Sequence, residues 1–137
     1  MPEITAAQFS NRFVALVLSA RDLPKKALDF NILLYSSVLG LDPGRLYPEG
    51  ELNAELQRWI LEFGGGFGLD HVTLRRYLVD EKYLRRDPAG KSYQLHPDGP
   101  RFTYDPAIRS LDLQRLVAEA RQERANRKQQ HTRQSGQ

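Results

Sequence analysis

The stretch "GGGFGLDHVTLRRYLVDEKYLRRDPAGKSYQL", Gly64 to Leu95, sets four glycines in five residues ahead of a segment with helical spacing and a second with strand character. Asp70 has the chemistry of a helix N-cap, and Leu74, Tyr77 and Leu78 fall at i, i+3 and i+4. That spacing predicts a helix from Asp70 to about Glu81. Its outward face is expected to carry His71, Thr73, Arg75, Arg76 and Lys82. Beyond it, "YLRR" and "KSYQL" flank Asp87-Pro88-Ala89-Gly90, where Pro at the second turn position and Gly at the fourth fit a type I turn. A hairpin over 83–95 follows.

The glycines invite comparison with a phosphate-binding loop, which needs backbone N–H groups close to an anion at a helix N-terminus. The spacing is wrong for one. In the Walker pattern the sixth residue, counting the first Gly as one, is a second Gly followed directly by Lys and Ser or Thr, whereas from Gly64 the sixth is Leu69 and no Lys follows nearby. The dinucleotide fingerprint fails as well, because Gly66 and Gly68 would require a third Gly where His71 stands. The preceding "ELQRWILEF" has a period of 3.6 and not 2, so no buried strand leads into the loop. A loose turn between two packed helices is the better expectation, since Gly accepts positive φ and close backbone approach.

Working outward, Leu52, Leu56, Trp59, Ile60 and Phe63 define a helix from Pro48 that stops at the glycines, with Glu49 and Glu51 at its positive end. Before it, "RDLPKKALDFNILLYSSVLGL" predicts a helix capped by Asp22, with Pro24 in its first turn and a wide apolar face of Leu28, Ile32, Leu33, Tyr35 and Leu39. Such a face suits a central helix. "LDPGR" ends it by turn chemistry. At the start of the chain, Thr5 and Gln8 have capping-box spacing, and Phe9, Phe13, Leu16 and Val17 repeat at helical intervals. The run "FVALVLSA" is too short and has Glu3 too near to be a signal peptide. The loop "PDGPRFTYDPAIR" leads to a last helix from about Ser110 that buries Leu113, Leu116, Val117 and Ala120. The organisation expected is an N-terminal helix over 1–23, a main domain over 24–120, and a basic polar tail over 121–137 that either extends the helix or is disordered.

With 137 residues, 40% hydrophobic and 27% charged, the chain has the size and composition of one globular domain. It has no Cys, which removes disulfides, thiolate zinc sites and a cysteine nucleophile together. The net charge of +3 is uneven. Residues 121–137 hold five Lys/Arg and one acid, and the first 120 hold 15 Lys/Arg against 16 acids. The body is therefore near neutral, and any anion-binding face on it must be local.

Helix, turn, basic helix and hairpin in that order give the expected fold class: mostly α with a small β-hairpin, a winged helix-turn-helix. The segments "GRLYPEGELN", "TLRRYLVDEKYLRR" and "DPAIRSLD" closely resemble the bacterial domain of unknown function numbered twenty eighty-seven, over roughly Pro24 to Ala120. Members of that family occur alone or attached to helix-turn-helix regulators. The resemblance implies a winged-helix domain linked to transcription. Two departures stand out: only Lys25 and Lys26 follow Pro24 where members have a longer basic run, and Pro48 replaces the usual Thr or Ser cap.

The function expected is duplex DNA binding by a transcriptional regulator, with the helix at 70–81 in the major groove and the hairpin at 83–95 along the backbone. Arg75 and Arg76 suit bidentate contacts to guanine or phosphate, and His71 and Thr73 sit near the helix start. Arg85, Arg86 and Lys91 would meet phosphates. One of the two adjacent arginines has a structural role as its alternative, and pairing of these cations with Asp80, Glu81 and Asp87 is the bland reading of the whole face. Between Asp70 and Lys91 six Lys/Arg meet four acids, a modest local excess. The rival is a winged-helix protein-interaction module without DNA readout; RNA binding ranks lower, because few aromatics are free to stack. An enzyme is not expected: the three His lack ligand spacing and no nucleophile motif is present. No cofactor and no metal are expected. The remaining expectations are a homodimer through the Leu113, Leu116, Val117 stripe, unless that stripe packs on its own core, no membrane span, and a cytoplasmic, nucleoid-associated location.

Overall fold

In the computed structural model, which describes residues 3–19 and 21–135, the first helix opens as its sequence predicts. Thr5 Oγ1 accepts a hydrogen bond from the Gln8 N–H at 3.0 Å, and α1 runs Ala6–Ser19 with Phe9 and Phe13 fully buried. The second helix, α2, spans Ala27–Val38. The expectation that Asp22 caps it and Pro24 lies in its first turn is corrected. Lys26 is the N-cap, in extended backbone, and Asp22 accepts from the N–H of its neighbour Leu23 instead. Pro24 presses the residue before it towards extended geometry, which delays the helix.

α2 is buried almost all round, as a helix at the centre of a fold must be. Ile32 joins Phe9, Phe13, Ile4, Ile108 and Val117 in one apolar cluster. Leu33 and Leu34, on its other side, join Leu52, Leu56, Trp59, Leu74 and Leu78 in a second. Its polar groups are satisfied: Ser36 and Ser37 donate to carbonyls three residues back, and Ser36 Oγ accepts from Trp59 Nε1 at 3.1 Å. Asp29 takes two hydrogen bonds from Arg12 of α1, at 3.0 and 2.9 Å, in a bidentate pair.

β1 is only Tyr47–Pro48, and α3 follows at once as Glu49–Trp59. A π-helical turn, Ile60–Gly64, extends it. The turn after it is not loose: Phe67 and Leu69 are buried, Phe67 N–H donates to the Gly64 carbonyl at 3.0 Å, and Gly68 takes φ +65. Two apolar side chains, one within the glycine run and one just after it, seal the turn to the core. α4 then spans His71–Asp80 with Asp70 as its N-cap, and its Leu74 and Leu78 face inward, fully buried. It ends in a Schellman-type arrangement, in which Tyr83 N–H reaches the Leu78 carbonyl at 2.8 Å and Lys82 N–H the Val79 carbonyl at 3.2 Å. Lys82 occupies the left-handed position, φ +64, that usually favours Gly.

The hairpin is β2, Leu84–Arg86, paired antiparallel with β3, Ser92–Leu95. Its turn closes by Gly90 N–H donating to the Asp87 carbonyl at 2.7 Å, with Gly90 at φ +75. A third strand adds to the expected two: β1 pairs antiparallel with β3, Tyr47 opposite Tyr93, giving the order β1-β3-β2. The loop after β3 also has order of its own. Ile4 and Tyr104 form a parallel bridge, and Asp105 caps a 3-10 turn, Pro106–Ser110, by accepting from Ala107 N–H at 2.9 Å. The Tyr83 and Tyr104 hydroxyls share a hydrogen bond at 2.5 Å, one donating to the other, and the hydroxyl that accepts donates in turn to Asn31, whose Oδ1 lies 2.8 Å from Tyr83 and whose carbonyl lies 3.1 Å from Tyr104.

α5, Leu113–Ser135, packs on α1 through Val117 and the half-buried Leu113. The apolar stripe of the last helix therefore turns to the chain's own core, and the polar end continues as helix through Ser135. Residues 136 and 137 of that end lie outside the described residues. No helix of the described residues is long and apolar enough to cross a membrane.

Candidate nucleic-acid interface

α4 and the hairpin meet along one edge of the molecule, and the chemistry of that edge follows from how each turns its side chains. The Asp70 cap fixes the start of α4: its Oδ1 accepts from Thr73 N–H at 2.7 Å. That bond, with a second from the Thr73 hydroxyl, holds the Asp70 carboxyl below the usual carboxylate range. Thr73 is thereby committed to the cap. His71 turns towards α3, its Nδ1 accepting from Gln57 Nε2 at 3.2 Å. It lines a hollow of about 350 Å³ with Gln57, Ile60, Leu61 and Asp70, on a different side from the hairpin.

The two adjacent arginines separate. On a helix, neighbours point about 100° apart, and Arg75 takes the inward direction. Its guanidinium lies 3.2 Å from Glu49, donates to Asn53 Oδ1 and sits 5.5 Å from the centre of the Tyr93 ring. Its side chain is only 16% exposed. The expectation that Arg75 projects outward is corrected: it clamps α4 to the start of α3 and to β3. Arg76 faces solvent and has no ion pair among the described residues. Val72, Arg76 and Asp80 form the exposed row of α4 at i, i+4 and i+8. Val72 is 49% exposed. Sequence reasoning missed it, although its place off the Leu74 and Leu78 stripe signals it.

The hairpin cations divide as strand geometry requires, since successive side chains point to opposite faces. Arg86 lies opposite Tyr93 and joins Val72, Arg75, Arg76, Val79, Asp80 and Tyr93 around a cleft of about 280 Å³ between α4 and the sheet. It also donates to the Gly90 carbonyl at 3.4 Å. Arg85 lies opposite Gln94 on the other face, where the amide oxygen, turned towards it, accepts from Nε at 3.2 Å. Lys91 is exposed at the start of the return strand, and its carbonyl accepts from Glu49 N–H at 3.2 Å, tying the hairpin to α3.

Arg76 and Arg86 are therefore brought together, over a floor of Arg75 and Tyr93, with Val72 at the rim. Lys91 is nearby in sequence on the same hairpin, and Arg85, His71 and Thr73 point or bond elsewhere. The pairing of these cations with Asp80, Glu81 and Asp87 does not occur as ion pairs among the described residues; Asp80 contributes one negative charge at the cleft. No group of three or more His, Asp or Glu is placed to hold a metal ion among the described residues.

A family model described as an uncharacterized protein conserved in bacteria (DUF2087) matches residues 20–95, more than half of the chain. The chain belongs to the DUF2087 family. No curated protein and no solved structure gives a significant match. The DUF2087 segment contains α2, β1, α3, α4 and the whole hairpin, so the cleft and each residue around it lie inside the family's domain. α1 and α5, which close the apolar cluster around Ile32, lie outside it.

Proposed function

We propose that this DUF2087 protein is a winged helix-turn-helix protein that binds duplex DNA and regulates transcription, with α4 in the major groove and the hairpin on the adjoining phosphates. The observation that carries the proposal is the order α2, β1, α3, α4, β2, β3 with β1 seated on β3. That order supports a winged-helix reading, in which the second helix of the pair would be the reading helix and the hairpin the wing. The outward row of α4 has chemistry suited to base readout, with Arg76 for guanine or phosphate and Val72 for the methyl of thymine. Arg86 and Lys91 would anchor the backbone. Cytoplasmic, nucleoid-associated action follows from the same proposal.

The cation count is low for a duplex binder, so sequence-independent affinity should be modest and strongly salt-dependent. Arg76, Arg86 and Lys91 together contribute about −3 to the slope of log Kobs against log salt. Fluorescence anisotropy with a random duplex tests this. Wild-type protein should bind at low salt, and Arg76→Ala with Arg86→Ala should flatten the slope by about 2. Absence of binding at low salt, or an unchanged slope in the double variant, overturns the proposal. One observation favours the protein-interaction alternative: Leu61, 88% exposed, stands over the hollow that His71 and Ile60 line. Loss of DNA binding together with a soluble, folded protein would move the weight there.

A further inference from the structure

The polar part of α5 takes no part in the cleft, yet it is the most cationic segment of the chain. Every residue from Arg121 to His131 is exposed, and Val117 is the last buried residue among those described. A helix polar all round needs support from its own i, i+4 pairs. These are present: Arg115 Nε donates to Glu119 at 2.9 Å, Arg127 pairs with Glu123, and Gln122 donates to Asn126 at 3.1 Å. Both acids of the segment are thus engaged by cations on their own side of the helix. Arg121 and Arg124 have no ion pair among the described residues.

The positions of these side chains are ordered. Leu113, Val117, Arg121, Arg124 and Lys128 follow one another at spacings of four, four, three and four, so they share one face. That face packs on α1 at its apolar end and becomes cationic where the apolar residues stop. Glu119 and Glu123 lie about 160° from Arg121 at 100° per residue. The helix is therefore charge-segregated, with its acids turned away from the face that Arg121 and Arg124 occupy.

We infer that the face of Arg121, Arg124 and Lys128 binds the phosphates of a nucleic-acid duplex, as a contact additional to α4 and the hairpin. Several occupants are disfavoured by composition. Beyond Val117 the only apolar side chains are alanines, which cannot form a coiled-coil seam or an interfacial membrane face. No aromatic residue follows Tyr104, so single-stranded bases have nothing to stack on. Each strand of a duplex presents one charge per about 3.4 Å of its axis, and the three cations from Arg121 to Lys128 extend over about 10 Å. The spacing of charge then matches one phosphate strand. The choice of duplex rests on the DNA-binding proposal above; the cationic face does not.

The test uses the full chain and one random duplex, with log Kobs followed against log salt. Arg121→Gln with Arg124→Gln keeps helix propensity and removes two charges at exposed positions, so the fold is checked by an unchanged Tm. A slope about 1.8 shallower than wild type is expected. If wild type binds and this variant has the wild-type slope, the inference is overturned, and Arg76→Ala with Arg86→Ala then decides the α4 proposal separately. A shallower slope in the α5 variant with none in the α4 variant supports this inference and sinks the α4 proposal. Displacement of the duplex from wild type by polyglutamate as readily as by DNA overturns the assignment to phosphates.

Discussion

Arg75→Ala is expected to damage stability, whereas Arg76→Ala, one residue on, is expected to leave it intact. The magnitude follows from what the Arg75 guanidinium touches. Its contact with the Tyr93 ring is partly shielded and is worth about 1 kcal/mol. The hydrogen bond to Asn53 contributes about 1 kcal/mol. The ion pair with Glu49 is weaker, because that carboxylate is 44% exposed, and adds about 0.5 kcal/mol. A loss of about 2–3 kcal/mol results, since Ala also leaves Asn53 without its partner. For a domain of this size that corresponds to a Tm lower by about 8–10 °C. Urea and thermal unfolding by circular dichroism measure it, with Arg76→Ala expected within about 0.5 kcal/mol of wild type. A Tm for Arg75→Ala within about 1 °C of wild type would falsify the assignment of Arg75 as a clamp. Any loss of DNA binding in Arg75→Ala is thus expected to come with a loss of stability, and in Arg76→Ala without one.

Three further outcomes are expected. Lys82→Gly should raise stability by about 0.5–1 kcal/mol, because it relieves a left-handed residue at the end of α4; a lower Tm would show that the Lys side chain compensates. Gly64→Ala should cost about 1–2 kcal/mol, its Cβ meeting Trp59 at 3.0 Å, whereas Gly65→Ala, with open space around it, should not destabilise; equal losses in both would place the cause in the backbone. Burial raises the pKa of Tyr83, Tyr104 and Tyr35 above the ordinary tyrosine value. With folded values raised, the stability they contribute is complete below about pH 10 and is lost as pH climbs towards those values. Tyr83 and Tyr104 should therefore ionise only with unfolding, as tyrosinate absorbance would show, and their ionisation in the folded protein would contradict the buried hydroxyl network.

The helices were legible because each has one stripe whose spacing survives any context. Leu74 and Leu78 or Leu52, Leu56 and Trp59 can face only one way. The hairpin was legible from Asp87-Pro88-Ala89-Gly90, where two residues with strong backbone preferences coincide. β1 was not, since two residues, one of them Pro, have no period; the strand exists because β3 offers an edge to Tyr47. Phe67 and Leu69 were hidden by the glycines around them, which suggested a looser turn than the core allows. Residue type could not separate Arg75 from Arg76. The separation depends on Glu49 and Tyr93, which reach the site from other elements. The same holds for His71, drawn to Gln57 of α3. Site residues were thus readable as a set and not one by one, because tertiary partners decide which cations remain free.

The proposed function and the α5 inference divide the molecule into two cationic elements around a near-neutral body. α4 and the hairpin would supply orientation and base contacts, and α5 would supply further affinity without sequence preference. The most direct test of the central claim is to map backbone amide shifts in the nuclear magnetic resonance spectrum of the labelled full chain as a duplex is added at low salt. The account predicts that the largest shifts fall in His71–Asp80 and Leu84–Leu95, with Val72, Arg76 and Arg86 foremost. Shifts confined to residues around Leu61, or none at saturating duplex, would contradict it.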